Sequence, residues 1–121
     1  MEKRHQKLDV WRDAMTLVEV IYRLTAAFPS DEKFGLTAQL RRAAVSVPSN
    51  IAEGAARTSR TEYVRFLSIA RGSLAEIDTQ IEIARRLGYL PSDRDIDETV
   101  QKVFARLNAL IKRLSSPPQE S

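Results

Sequence analysis

The sequence predicts an all-α protein, an antiparallel up-down four-helix bundle, on three observations. Four stretches carry apolar residues that step by three and four, the spacing of one helix face. The connections between them are short, which makes antiparallel neighbours the simplest topology. The composition, 43% hydrophobic and 29% charged with four glycines and five prolines in 121 residues, is that of a helix-rich globular chain. That length suits one domain with a real core. We read a single domain over residues 1–121, with helices at about 8–28, 36–57, 60–87 and 93–114 and a disordered polar tail at 115–121.

In the first helix, Trp11, Ala14, Val18, Ile21, Thr25 and Phe28 form the stripe, flanked by Leu8, Met15 and Tyr22 and by Val10, Leu17 and Leu24. So wide an apolar arc docks on several neighbours. Pro29 ends the helix, because proline disfavours helical geometry at the residue before it.

The second helix is unusual in lacking large side chains. Leu40, Ala43, Val47 and Ile51 make a thin stripe, and Ala44, Ala52, Ala55 and Ala56 keep its surroundings small. Pro48 lies inside the pattern, where it removes one backbone donor and produces a kink rather than a stop. Gly54 marks a close packing point or the beginning of the helix end. A second line, Arg42, Ser46, Ser49, Glu53 and Arg57 with Asn50 beside it, recurs at helical spacing. It fits a solvated face. It also fits a polar seam at Ser46, Ser49, Asn50 and Glu53 that fixes register or subunit contact, since Ser and Asn are weak helix formers.

Ser59 and Glu62 form a capping-box pattern that opens the third helix, with Glu62 placed to reach back to the cap. Its stripe of Tyr63, Leu67, Ala70, Leu74, Ile77, Ile81 and Ala84 alternates by four and three without a slip, as in a bundle of shallow crossing angle. Gly72 costs about 1 kcal/mol against alanine in a helix interior, so a close approach, to the alanine-rich second helix, is the expected compensation. Phe66, Ile69, Ile83 and Leu87 add apolar surface beyond what one interior needs and point to oligomer contacts. Gly88 fits the left-handed position after a helix. Ser92 with Asp95 forms the next cap, and Ile96, Val100, Val103, Leu107, Leu110 and Leu114 carry the fourth stripe.

Several function classes fall away. There is no cysteine, and His5, the one histidine, lies in a charged terminus, so thiolate chemistry, a Ser-His dyad and a histidine-rich metal site have no support. Neither paired metal-binding Glu-x-x-His motifs nor a glycine-rich phosphate loop is present. We expect no enzyme, no cofactor and no metal. No run approaches the roughly 20 apolar residues that span a bilayer. The charged start lacks the pattern of a signal peptide, so the expected location is the cytoplasm, away from membranes.

What remains is charge. Nineteen Lys and Arg against sixteen Asp and Glu give a net charge of +3, and the pI is near 9.5. Arginine predominates, which suits bidentate contact with phosphates. Arg41, Arg42, Arg57 and Arg60 are the candidate contacts to RNA or DNA. They also suit ordinary pairing with nearby acids on a wet surface. A symmetric assembly would copy each arginine about its axis and concentrate a modest charge.

The blocks Leu8-Asp9-Val10-Trp11, Phe28-Pro29 with Phe34-Gly35-Leu36, the run from Gln39 to Gly54, Arg57, and Phe66-Leu67-Ile69-Ala70 with Gly72-Ser73-Leu74-Ala75-Glu76 carry a specific similarity. In them the chain resembles the bacterial four-helix bundle family named for the intervening sequences of large-subunit ribosomal RNA, over about Leu8 to Leu90. The resemblance implies ring-shaped homopentamers. A related branch, the accessory proteins of diversity-generating retroelements, implies association with nucleic acid and with a reverse transcriptase. Two functions follow as expectations: a homo-oligomeric nucleic-acid-binding accessory protein, or an adaptor that presents its assembled surface to another protein.

Overall fold

The computed structural model describes residues 3–91 and 95–115. Four α-helices, α1 (Asp9–Thr25), α2 (Leu36–Ala55), α3 (Arg60–Arg86) and α4 (Asp95–Ser115), follow one another with no strand among the described residues. Short 3₁₀ turns precede α1 at Arg4–Lys7 and α2 at Ser30–Glu32. The cap expected at Ser92, the helix start expected at 93 and the tail beyond Ser115 lie outside the described residues; Ser115 itself is still helical.

Each helix packs on its neighbours in sequence and α4 returns to α1, with no close backbone approach across either diagonal among the described residues. Cross-links give the directions. Gln39 with Gln80 and Ser46 with Ser73 tie the start and middle of α2 to the end and middle of α3. Arg85 with Asp97 ties the end of α3 to the start of α4, and Arg106 with Asp13 ties late α4 to early α1. Neighbours therefore run antiparallel around a square. Leu17, Leu40, Val47, Leu74, Ile77, Val103 and Leu107 fill its centre, fully excluded from solvent.

Helix α1 stops at Thr25, three residues before the proline-adjacent Phe28. Thr25 turns its hydroxyl back to the Ile21 carbonyl at 2.7 Å, and tightened turns bring the Ala27 and Phe28 N–H groups to the carbonyls of Leu24 and Thr25. Such i→i+3 bonds commonly finish a helix. Helix α2 opens on Gly35, which has no side chain to cap it; Glu32 serves instead, its Oε1 accepting from Leu36 N–H at 3.2 Å. A Cβ at residue 35 would stand 2.6 Å from that oxygen, so glycine is what admits the carboxylate. The other oxygen accepts from the Tyr89 hydroxyl at 2.9 Å and raises that phenol above its ordinary range.

Pro48 does not stop α2, which is continuous from Leu36 to Ala55. Proline leaves the Ala44 carbonyl without its usual donor. On the two following carbonyls side chains supplement the backbone: Ser49 Oγ donates to Val45 O and Asn50 Nδ2 to Ser46 O, both at 2.8 Å.

The close approach falls at Gly54 and not at Gly72. A Cβ on Gly54 would lie 2.9 Å from Phe66 Cβ and 3.1 Å from the Tyr63 carbonyl, whereas one on Gly72 would meet nothing within 4 Å. Gly72 sits on the outer face of α3, so the expected contact with α2 is not made. We predict that Gly54→Ala costs about 1–3 kcal/mol, by overpacking a rigid backbone contact, while Gly72→Ala stabilises the isolated fold by up to about 1 kcal/mol. Urea unfolding of the two variants at matched concentration checks both signs.

At the start of α3, Ser59 Oγ accepts from Glu62 N–H at 3.3 Å, so half of the capping box forms. Glu62 does not reach back; its carboxylate pairs with Arg65 at 3.1 Å. The far end closes as expected, with Gly88 at φ +79° and the N–H groups of Gly88 and Tyr89 returning to the carbonyls of Arg85 and Ala84.

Candidate nucleic-acid interface

The four candidate arginines do not form one patch. Arg41 closes the end of α1: its Nε donates to Thr25 Oγ1 at 2.8 Å, a terminal nitrogen donates to Tyr22 O at 3.3 Å, and the guanidinium stacks 4.5 Å above the Tyr22 ring. Arg42, one position on, is exposed beside the α2–α3 groove. Arg57 and Arg60 lie at the opposite end of the bundle. At about 1.5 Å per residue, the length of α2 puts roughly 20 Å between the two pairs.

Antiparallel topology gathers a different set. The chain start, the α2–α3 turn and the end of α4 all meet at one end of the square. There Arg4 donates to the Arg57 carbonyl at 3.5 Å and lies 5.2 Å above the Tyr63 ring. Arg57 and Arg65 stand 4.8 and 4.7 Å from the Phe66 centroid. Burial raises the Tyr63 phenol, with the nearby charges of Arg4 and Arg113 pulling the other way. The acids at this end are engaged: Glu53 with Arg57, Glu62 with Arg65, and Asp9 with Arg12. These exposed pairs contribute little to stability. They nonetheless leave an excess of cations at this end, with Arg60, Lys7 and Arg113 around it.

The other end has a different character. Asp31, Glu32, Glu82, Asp97 and Glu98 collect where α1 ends, α2 begins and α3 hands over to α4. Arg85 holds both oxygens of Asp97 at 2.8 and 2.9 Å, a bond that raises its own pKa further, and Arg86 pairs with Glu82 at 3.2 Å. Arg23, Lys33 and Arg41 also stand at this end, so the bundle is strongly basic at one end and carries both signs, with a slight excess of acid, at the other. Residue spacing alone missed Arg4 and Lys7; tracing the up-down path and asking which termini meet would have found them.

The seam forms in part. Ser46 Oγ and Ser73 Oγ are 2.8 Å apart, and Asn50 Nδ2 reaches Ser46 Oγ at 2.9 Å, so three short polar side chains bridge α2 and α3. Ser49 is exposed and bonded to its own helix, and Glu53 is exposed and paired with Arg57. Neither joins the bridge. Beside it runs a groove of about 340 Å³ between Gln39, Arg42, Glu76 and Gln80. Within it the Gln80 Oε1 atom is buried without a hydrogen-bond partner. We predict that Asn50→Leu shifts the solution mass, because it removes one member of a coupled polar group on a surface suited to a second copy. Sedimentation of the variant beside the parent at equal concentration reads this directly.

No group of three His, Cys, Asp or Glu side chains among the described residues is arranged to hold a metal. His5 packs edge-on against Trp11 at 5.0 Å. No helix among the described residues is long and apolar enough to cross a membrane.

The model of the 23S rRNA-intervening sequence protein family matches residues 6–116. The chain belongs to that family. The family model reaches into α4, beyond the Leu90 limit of the similarity recognised in the sequence. A crystal structure of a protein of unknown function from the S23 ribosomal protein family of Bacteroides thetaiotaomicron is similar in fold, with a TM-score of 0.79 at 23% identity, over 85% of this chain and 95% of that one. At that identity the likeness speaks for the family's four-helix architecture alone. No curated protein matches the chain.

Proposed function

We propose that this member of the family is a non-enzymatic homo-oligomer, a pentamer, that binds the phosphate backbone of RNA or DNA in the cytoplasm through its basic end. The segregation of charge along the bundle axis carries this reading. A cyclic ring whose axis runs along the helices keeps every copy pointing the same way. All basic ends then share one face, and a modest charge per chain becomes a concentrated field. The outer face of α2 and α3 supports the ring: Val45 and Ile69 are exposed there, and Gly72 leaves space for a neighbouring backbone. The family's name, which refers to intervening sequences in ribosomal RNA, agrees with a nucleic-acid setting.

Titrating fluorescent RNA and DNA duplexes at two salt concentrations, with solution mass recorded on the same sample, tests both halves. A pentameric mass with steeply salt-dependent affinity is the expected result. An oligomer that ignores both duplexes would turn the reading to the adaptor. One observation favours that alternative: Phe34, 88% exposed, and Leu87, 54% exposed, stand at the acidic end, where a basic protein such as a reverse transcriptase would find both charge and apolar contact.

A further inference from the structure

Between the start of α1 and the end of α4 lies a cleft of about 360 Å³, lined by Lys7, Leu8, Val10, Arg106, Leu110 and Arg113. Its volume falls within the roughly 300–1,000 Å³ of small-ligand sites. Its floor is aliphatic: Val10 and Leu110 are buried core residues and Leu8 packs against them. Its rim carries three cations, Lys7, Arg106 and Arg113, and one acid, Asp9. The two neighbouring acids are already engaged, Asp9 by Arg12 at 3.2 Å, and Asp13 by Arg106 at 2.6 Å and by Lys102 at 3.6 Å. Lys7 and Arg113 make no ion pair among the described residues, and each stands at the edge of the cleft.

A duplex has little use for such a floor, because its base faces are stacked inside and a protein meets only the backbone and the base edges in the grooves. A single strand presents both a phosphate and a free base face. We propose that this cleft takes one unstacked nucleotide of a single strand, with its phosphate at Lys7 and Arg113 and its base against Leu8, above the nearly buried Val10 and Leu110. The inference rests on the nucleic-acid reading of the basic end and adds to it a preference for single strands.

Strands with and without bases separate the two ideas. The full-length protein is titrated with a short oligo(dT), with an abasic strand of equal length and phosphate number, and with a duplex. Oligo(dT) should bind about fivefold more tightly than the abasic strand, the low end for base contacts because the floor is aliphatic rather than aromatic. Ala109 is exposed at the cleft, so Ala109→Leu narrows it without altering charge or helix propensity greatly. That variant should bring oligo(dT) down to the abasic level and leave the abasic affinity unchanged. Equal affinity for the two strands in the parent protein, or an Ala109→Leu variant that still prefers oligo(dT), overturns the cleft while the duplex titration leaves the basic end standing. Absence of binding to all three overturns both.

Discussion

Leu74→Ala is expected to cost about 3–5 kcal/mol of stability, the upper part of the range for truncating a fully buried leucine. Leu74 is 0% exposed and lies at the middle of α3, the helix that packs on both α2 and α4. Removing its branched end opens a void that neither flanking helix can close alone. Both are held in register nearby, α2 by the Ser46–Ser73 bond and α4 by Arg71 donating to Asn108 at 3.0 Å. A urea midpoint that falls with an unchanged slope, at fixed protein concentration, is the expected measurement. A loss below about 1 kcal/mol would mean that the bundle relaxes around the site, and the close packing inferred for α3 would then be wrong.

The second large effect is on binding. Arg60→Gln combined with Arg113→Gln should lower duplex affinity by about a hundredfold at low salt and flatten its salt dependence, since each removes a cation from the basic face. Lys33→Gln combined with Arg86→Gln removes the same net charge from the acidic end. That control should bind almost as the parent does. If the two doubles weaken binding equally, net charge alone governs the interaction and axial segregation plays no part.

The helices themselves were legible because their signals are local. Three-four alternation, the Ser59 cap and the left-handed Gly88 each act within a turn or two of chain. Contacts set by tertiary partners were less so. Gly54 and Gly72 look alike in sequence, each a glycine in a helical pattern, and only the packing of Phe66 and Tyr63 against one of them decides which is a close approach. Arg41 and Arg42 read as one dibasic pair, yet consecutive helical residues diverge by about 100°, and only Arg41 meets the end of α1. Glu53 keeps the spacing of the seam and lies on nearly the same face as Ser46, yet it is exposed and pairs along its own helix with Arg57. The Ser46–Asn50–Ser73 bridge was half legible: the short polar line was visible on α2, but its partner on α3 was not.

The split of charge between the two ends acts before any contact is made. A body whose excess cations gather at one pole carries a dipole moment, and in the field of a polyanion it experiences a torque as well as an attraction. Within a Debye length, about 8 Å at physiological salt, that torque turns the basic pole forward and holds the acidic pole away. On the nucleic-acid reading, encounters then begin already aligned, with the pole carrying Phe34 and Leu87 facing solvent.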